Sequence, residues 1–90
     1  MLHIVSNLEA LKQATEYASS KDEFLLVQDA VYAVNPKHFA HSKLNAHNSF
    51  ALSADVEARG LLEKADSAIE LVDFAGFVEL TAEHSKSITW

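Results

Sequence analysis

A chain of 90 residues forms one domain with a shallow core, because a domain of this size buries only about 60 to 65% of the surface its unfolded chain exposes. Seven basic against 13 acidic residues give a formal net charge of −6, which excludes a basic tail or an RNA-binding stripe. The absence of cysteine excludes disulfides, thiolate catalysis, iron–sulfur ligation and the carriage of persulfide on this chain.

The hydrophobic share of 49% owes much to alanine, so large apolar side chains are fewer than that figure suggests. A thin core without disulfide or metal gains stability by oligomerising, which favours a subunit over a lone monomer. No stretch approaches the length of a membrane span, and the start MLHIVSNLEA lacks the basic and then apolar design of a signal peptide. The expected setting is the cytoplasm.

Leu2, Ile4 and Val5 read as a first strand. Ser6 and Glu9 then match the capping box S-x-x-E, in which hydroxyl and carboxylate satisfy free N–H groups at a helix start. Leu8, Leu11, Ala14, Thr15 and Ala18 follow at helical spacing, and Ser19 to Asp22 stops that helix. The apolar run Phe24 to Val27 has strand length and the composition of a parallel strand covered on both faces. Ala30 to Val34 predicts a short helix ended by Asn35-Pro36, because the residue before proline is pushed out of the α region. A further turn runs from Pro36 to Leu44, with Asn45 as its stop.

Phe50 to Leu52 reads as a third strand, with Ser53 as the cap of a short helix that carries Asp55 and Glu57 in its first turn. Gly60 ends it in the left-handed conformation. Ile69, Leu71 and Val72 form a fourth strand. Asp73 then caps a helix in which Phe74, Phe77, Val78 and Thr81 recur at i, i+3, i+4, i+7, and His84 and Lys86 suit its negative end. Ser87 to Thr89 has strand composition, and the terminal Trp90 is expected to be packed. Strand starts separated by about 18 to 25 residues, with helical patterns between, imply crossovers and not hairpins. The fold class is therefore α/β, one domain over residues 1–90: a three-layer, five-stranded, mainly parallel sheet with helices on both faces.

Ligands of open parallel sheets sit beyond the carboxyl ends of the strands, so Gln28, Asp29, Ser53 and Asp73 should share one rim. Asp29 and Asp73 occupy positions where capping alone selects aspartate, and this outweighs an acid–base role. His3, among apolar neighbours, reads as a core or interface imidazole with a backbone hydrogen bond. His38 and His41 share a face if their stretch is helical, but with His47 they fix no metal-ligand spacing. Gly60 and Gly76 belong to no phosphate-cradling motif, and no G-x-S-x-G turn exists. No cofactor is expected. Phe74, Phe77 and Trp90 read as core or subunit-interface packing, whereas Tyr32 and Phe39 in the irregular middle are the more exposed interface candidates.

Asp73, Phe77-Val78, Leu80-Thr81, His84 and Trp90 at the end of the chain resemble the TusB/DsrH family of small sulfur-relay subunits. So do Met1-Leu2-His3, the block LLVQDAVYA from Leu25 to Ala33, Ala51-Leu52, Asp55 and Ala58-Arg59-Gly60-Leu61. Together these pieces cover nearly the whole chain apart from about residues 35 to 48, and their order and spacing make the match fairly specific. The resemblance implies a DsrEFH-like fold and a heterohexamer with TusC-like and TusD-like chains. Such a complex passes persulfide sulfur towards the 2-thio group of the wobble uridine in tRNA, so sulfur donor and tRNA would be met only through the complex. In that family the carrier cysteine belongs to the TusD-like chain. Because some DsrH relatives carry their own cysteine and this sequence has none, the sulfur-oxidation role transfers less well. Two other readings stay open: a small hydrolase or isomerase using Asp29, Asp73 and His3, and a stand-alone homo-oligomeric module.

Overall fold

Leu2–Val5, Glu23–Leu26, Ser49–Leu52, Glu70–Val72 and Ser87–Thr89 form strands β1 to β5 in a computed structural model that describes residues 1–90. They make one sheet in the order β4-β3-β2-β1-β5. Every neighbouring pair is parallel, with His3 beside Phe24 and Ile88, Leu25 beside Phe50, and Ala51 beside Leu71. Three helices cover the sheet: α1 (Leu8–Tyr17), α2 (Ser53–Ala58) and α3 (Phe74–Glu83). Short 3-10 turns at Gln28–Val34, His41–Leu44 and Leu62–Lys64 complete the chain.

Side chains alternate across a strand, so each strand supplies both layers. Val5, Phe24, Leu26 and Ala51 face the larger layer, where they meet Leu11 and Ala14 of α1, Val31 and Val34 of the first 3-10 turn, and Val56 of α2. Leu2, Ile4, Leu25 and Val72 face the other side, where α3 contributes Leu80 and the partly buried Phe77. The chain steps from β1 to β4 with its connections on the first face, then returns across the second through α3 to place β5 beside β1. No helix is long and apolar enough to cross a membrane.

Local rules explain most element ends. Asp73 Oδ1 accepts from the Gly76 N–H at 2.8 Å and starts α3 as expected. Gly60 has φ +66, the left-handed conformation a glycine adopts freely. The turn Gln28–Val34 stops at Asn35 before Pro36, and Asn45 ends the turn His41–Leu44.

Three expectations need correction. Asn7, and not Ser6, caps α1, accepting from Ala10 N–H at 2.8 Å. Ser6 Oγ instead donates to the Trp90 carbonyl at 2.8 Å, so a tertiary bond outcompetes the capping box. Ser53 is the first residue of α2, which has no side-chain cap. The face of α3 also differs: Leu80 is its buried residue, whereas Phe74 and Val78 are exposed. Close packing fixes that rotation, since a Cβ on Gly76 would lie 3.0 Å from Val72 Cβ.

Candidate functional site

The carboxyl ends of β2, β3 and β4 lead into Gln28-Asp29, Ser53 and Asp73 respectively. Gln28 is the one non-glycine residue with positive φ, at 49, and its N–H donates to Asp55 Oδ2 at 2.7 Å. A left-handed conformation costs an ordinary residue roughly 1 to 2 kcal/mol, so the Asp55 carboxylate offsets local strain. Arg59 completes the cluster by donating to Asp29 Oδ1 through Nε (3.1 Å) and Nη2 (2.9 Å) while Nη1 lies 3.7 Å from Asp55 Oδ1. Asp29 is therefore an ion-pair partner and not a cap: the turn it opens has none. Asp73 lies two strands from Asp29, at the end of β4, engaged with the start of α3. The two aspartates do not meet.

A second polar network occupies the amino ends of β1 and β2. His3 is fully buried. Its Nδ1 accepts from Trp90 Nε1 at 3.0 Å, and its Nε2 lies 2.8 Å from Asp22 Oδ2. Indole N–H can only donate, which assigns the His3 proton to Nε2 and makes Asp22 its acceptor. The expected backbone bond is replaced by two side-chain bonds, because β5 and the loop before β2 bring indole and carboxylate to either ring nitrogen. Asp22 also accepts from Ser19 N–H (3.1 Å), Ser19 Oγ (3.0 Å) and the Met1 amine (3.2 Å). The His3 hydrogen bond and these others hold its carboxyl well below the usual range, against the opposing effect of burial.

Each remaining histidine is tied to a separate partner. His47 Nδ1 lies 3.0 Å from the Asp22 carbonyl, and its ring stacks on Phe24 with centroids 4.7 Å apart. His41 Nε2 meets Asp66 Oδ2 at 2.9 Å, and the Ala68 N–H followed by His41 keeps that carboxyl low. His84 ends α3, yet its Nε2 turns to Glu23 Oε1 at 2.7 Å, so a specific pair replaces the expected dipole contact. Burial raises Glu23, but bonds from Asn48 and His84 outweigh it and the carboxyl is lowered. His38 Nδ1 accepts from the Ala40 N–H, and its ring stacks between Tyr32 and Phe39 at 6.5 and 4.5 Å. Tyr32 is 37% and Phe39 78% exposed.

Ser6, Thr15, Ser19, Ser49 and Thr81 hydroxyls bond to carbonyl or carboxylate oxygens, and none to an imidazole. No three His, Asp or Glu side chains converge to hold a metal ion. The three open cavities, of about 390, 150 and 260 Å³, are lined by residues other than His3, Gln28, Asp29 and Asp73. The carboxylates held low, Asp22, Glu23 and Asp66, precede or begin strands and lie away from that rim. Arg59 and Asp22 were missed as organising residues. The i,i+4 spacing of Asp55 and Arg59 signals one pair, whereas the bond from His3 to Asp22 spans 19 positions and has no local signature.

The chain is 39% identical to the protein TusB of Shigella dysenteriae over 74 residues, covering 80% of this chain and 78% of that one. The TusB of Escherichia coli strain K12 gives the same identity and coverage. Among solved structures, the ychN protein of E. coli superposes with a TM-score of 0.77 at 16% identity, covering 99% of this chain and 97% of its own. The protein MTH1491 of Methanobacterium thermoautotrophicum superposes with a TM-score of 0.67 at 12% identity, with 99% and 96% coverage, so both share the fold. The family model described as "DsrH like protein" matches residues 5–87, and with that span and the TusB identities the chain belongs to the DsrH-like family.

Proposed function

We propose that this chain is a non-catalytic subunit of a cytoplasmic sulfur-relay complex, assembled with TusC-like and TusD-like chains as a heterohexamer. That complex passes persulfide sulfur towards the 2-thio group of the wobble uridine in tRNA. The observation that carries the reading is the 39% identity with TusB over 80% of the chain. Two features of the chain support it. Without cysteine this chain offers no thiol on which a persulfide can form, which supports a reading in which the reactive thiol belongs to a partner. The hydroxyls and imidazoles lack the mutual contacts that activate a nucleophile.

The reading as a hydrolase or isomerase through Asp29, Asp73 and His3 finds no support in this geometry. Both ring nitrogens of His3 are engaged, Asp29 is paired with Arg59, and Asp73 caps α3. The test is sulfur loading. The purified chain, incubated with a cysteine desulfurase and cysteine, should gain no sulfur by intact mass, whereas the co-expressed complex should gain it on a partner chain. A gain of one sulfur atom on this chain would overturn the proposal.

A further inference from the structure

A helix on a protein surface normally keeps its apolar residues in one stripe against the core and polar residues outside. α3 departs from this pattern. It buries Leu80 and partly buries Phe77, yet its solvent side carries Phe74, 68% exposed, and Val78, 63% exposed, beside exposed Ala75 and Ala82. At 3.6 residues per turn these four lie on the side of the helix opposite Leu80. A monomer gains nothing from a second apolar face directed at water.

The flank of that face is acidic. Glu79 and Glu83 stand four residues apart, where like charges repel, and Glu83 lies in the last turn, at the negative end of the helix dipole. Across an open groove of about 260 Å³, floored by Phe50 and Leu80, Glu70 of β4 adds a third carboxylate. None of the three has an ion-pair partner in the chain, and no basic residue occupies the last turn of α3. Apolar surface and uncompensated negative charge therefore adjoin on one helix.

We infer that this side of α3 is the docking surface for a partner protein chain that presents an apolar cluster bordered by lysine or arginine. Phe74 and Val78 supply the desolvated centre, and the partner's cations relieve the repulsion among Glu70, Glu79 and Glu83. A second copy of this chain fits poorly, since in a two-fold contact the facing surface is the same one, and α3 carries no lysine or arginine to meet these carboxylates. The inference rests on the subunit reading above and adds to it the surface that is used.

The test is co-expression with TusC-like and TusD-like chains, followed by purification through a tag on one of those partners. The unsubstituted chain is recovered with them. A Phe74→Ser, Val78→Asp chain is recovered at least tenfold less, although its isolated circular dichroism spectrum and thermal midpoint are retained because both positions are exposed. A separate Glu79→Lys, Glu83→Lys chain, with every apolar side chain kept, loses recovery as well. If the unsubstituted chain is not recovered, the subunit reading fails and this inference falls with it. Full recovery of both α3 variants beside a recovered unsubstituted chain overturns the inference alone.

Discussion

α1 and α3 flank the same sheet, each runs for 10 residues, and each starts on a side-chain oxygen that accepts from the N–H three positions on, at 2.8 Å. Their outer faces are opposites. α1 buries Ala10, Leu11 and Ala14 and turns Lys12, Gln13 and Glu16 to water, whereas α3 buries Leu80 and turns Phe74 and Val78 outward. Apart from Tyr17, 60% exposed at its last position, α1 places its large apolar residues against its own domain, and α3 is apolar on more sides than one sheet can cover. Capping and periodicity thus establish that a helix forms, but an apolar residue on it reports the core only where the remaining sides are polar.

The largest effect that sharpens this contrast is expected from Leu11→Ala. Leu11 is fully buried in the larger core layer, so its truncation should cost about 3 kcal/mol of stability in urea unfolding. A cost below about 1 kcal/mol would mean that the α1 layer is as open as the α3 layer.

An intermediate effect is expected at the polar network under α1. Asp22→Asn puts an amide among donors that a carboxylate now satisfies, at about 2 kcal/mol near neutral pH. The sign with pH follows from the lowered carboxyl. Its stabilisation is fully present above the unfolded aspartate value near pH 3.9, and is lost as pH falls below it towards the depressed folded value. Unfolding free energies measured between pH 5 and pH 2 should therefore converge for variant and unsubstituted chain. A gap that stays constant through that range would remove Asp22 from the acid response.

The smallest effect is expected on α3. Val78→Ser should change the stability of the isolated chain by no more than about 0.5 kcal/mol, because the side chain is already in water. A loss comparable to that of Leu11→Ala would show that α3 is closed in solution by self-association.

Much of the fold was legible from residues alone, for identifiable reasons. Strand-length apolar runs, Asp73 as a cap, Gly60 past a helix end and Asn35 before Pro36 all act over a few positions, where local chemistry decides. What escaped was non-local. Ser6 lost its capping role to the Trp90 carbonyl, and His3 took its partners from residues 19 and 87 positions away. The middle of the chain is set by single contacts such as His41 with Asp66 and His47 on Phe24, which no periodicity announces. At the carboxyl rim, Gln28, Asp29 and Asp73 were placed by strand order, but the Arg59 that occupies Asp29 comes from another crossover. On α3 the periodicity was genuine and its direction was not, because apolar residues on several sides leave the rotation to the Gly76 contact with Val72.

Hydroxyl-radical footprinting of Phe74 would test the central claim, that the outer side of α3 is completed by another protein chain, most directly. In the isolated chain Phe74 should be labelled at the rate of an exposed phenylalanine, and in the proposed complex with TusC-like and TusD-like chains its labelling should fall several-fold. Equal labelling of Phe74 in the two samples, with the complex verified intact by native mass, would contradict the account.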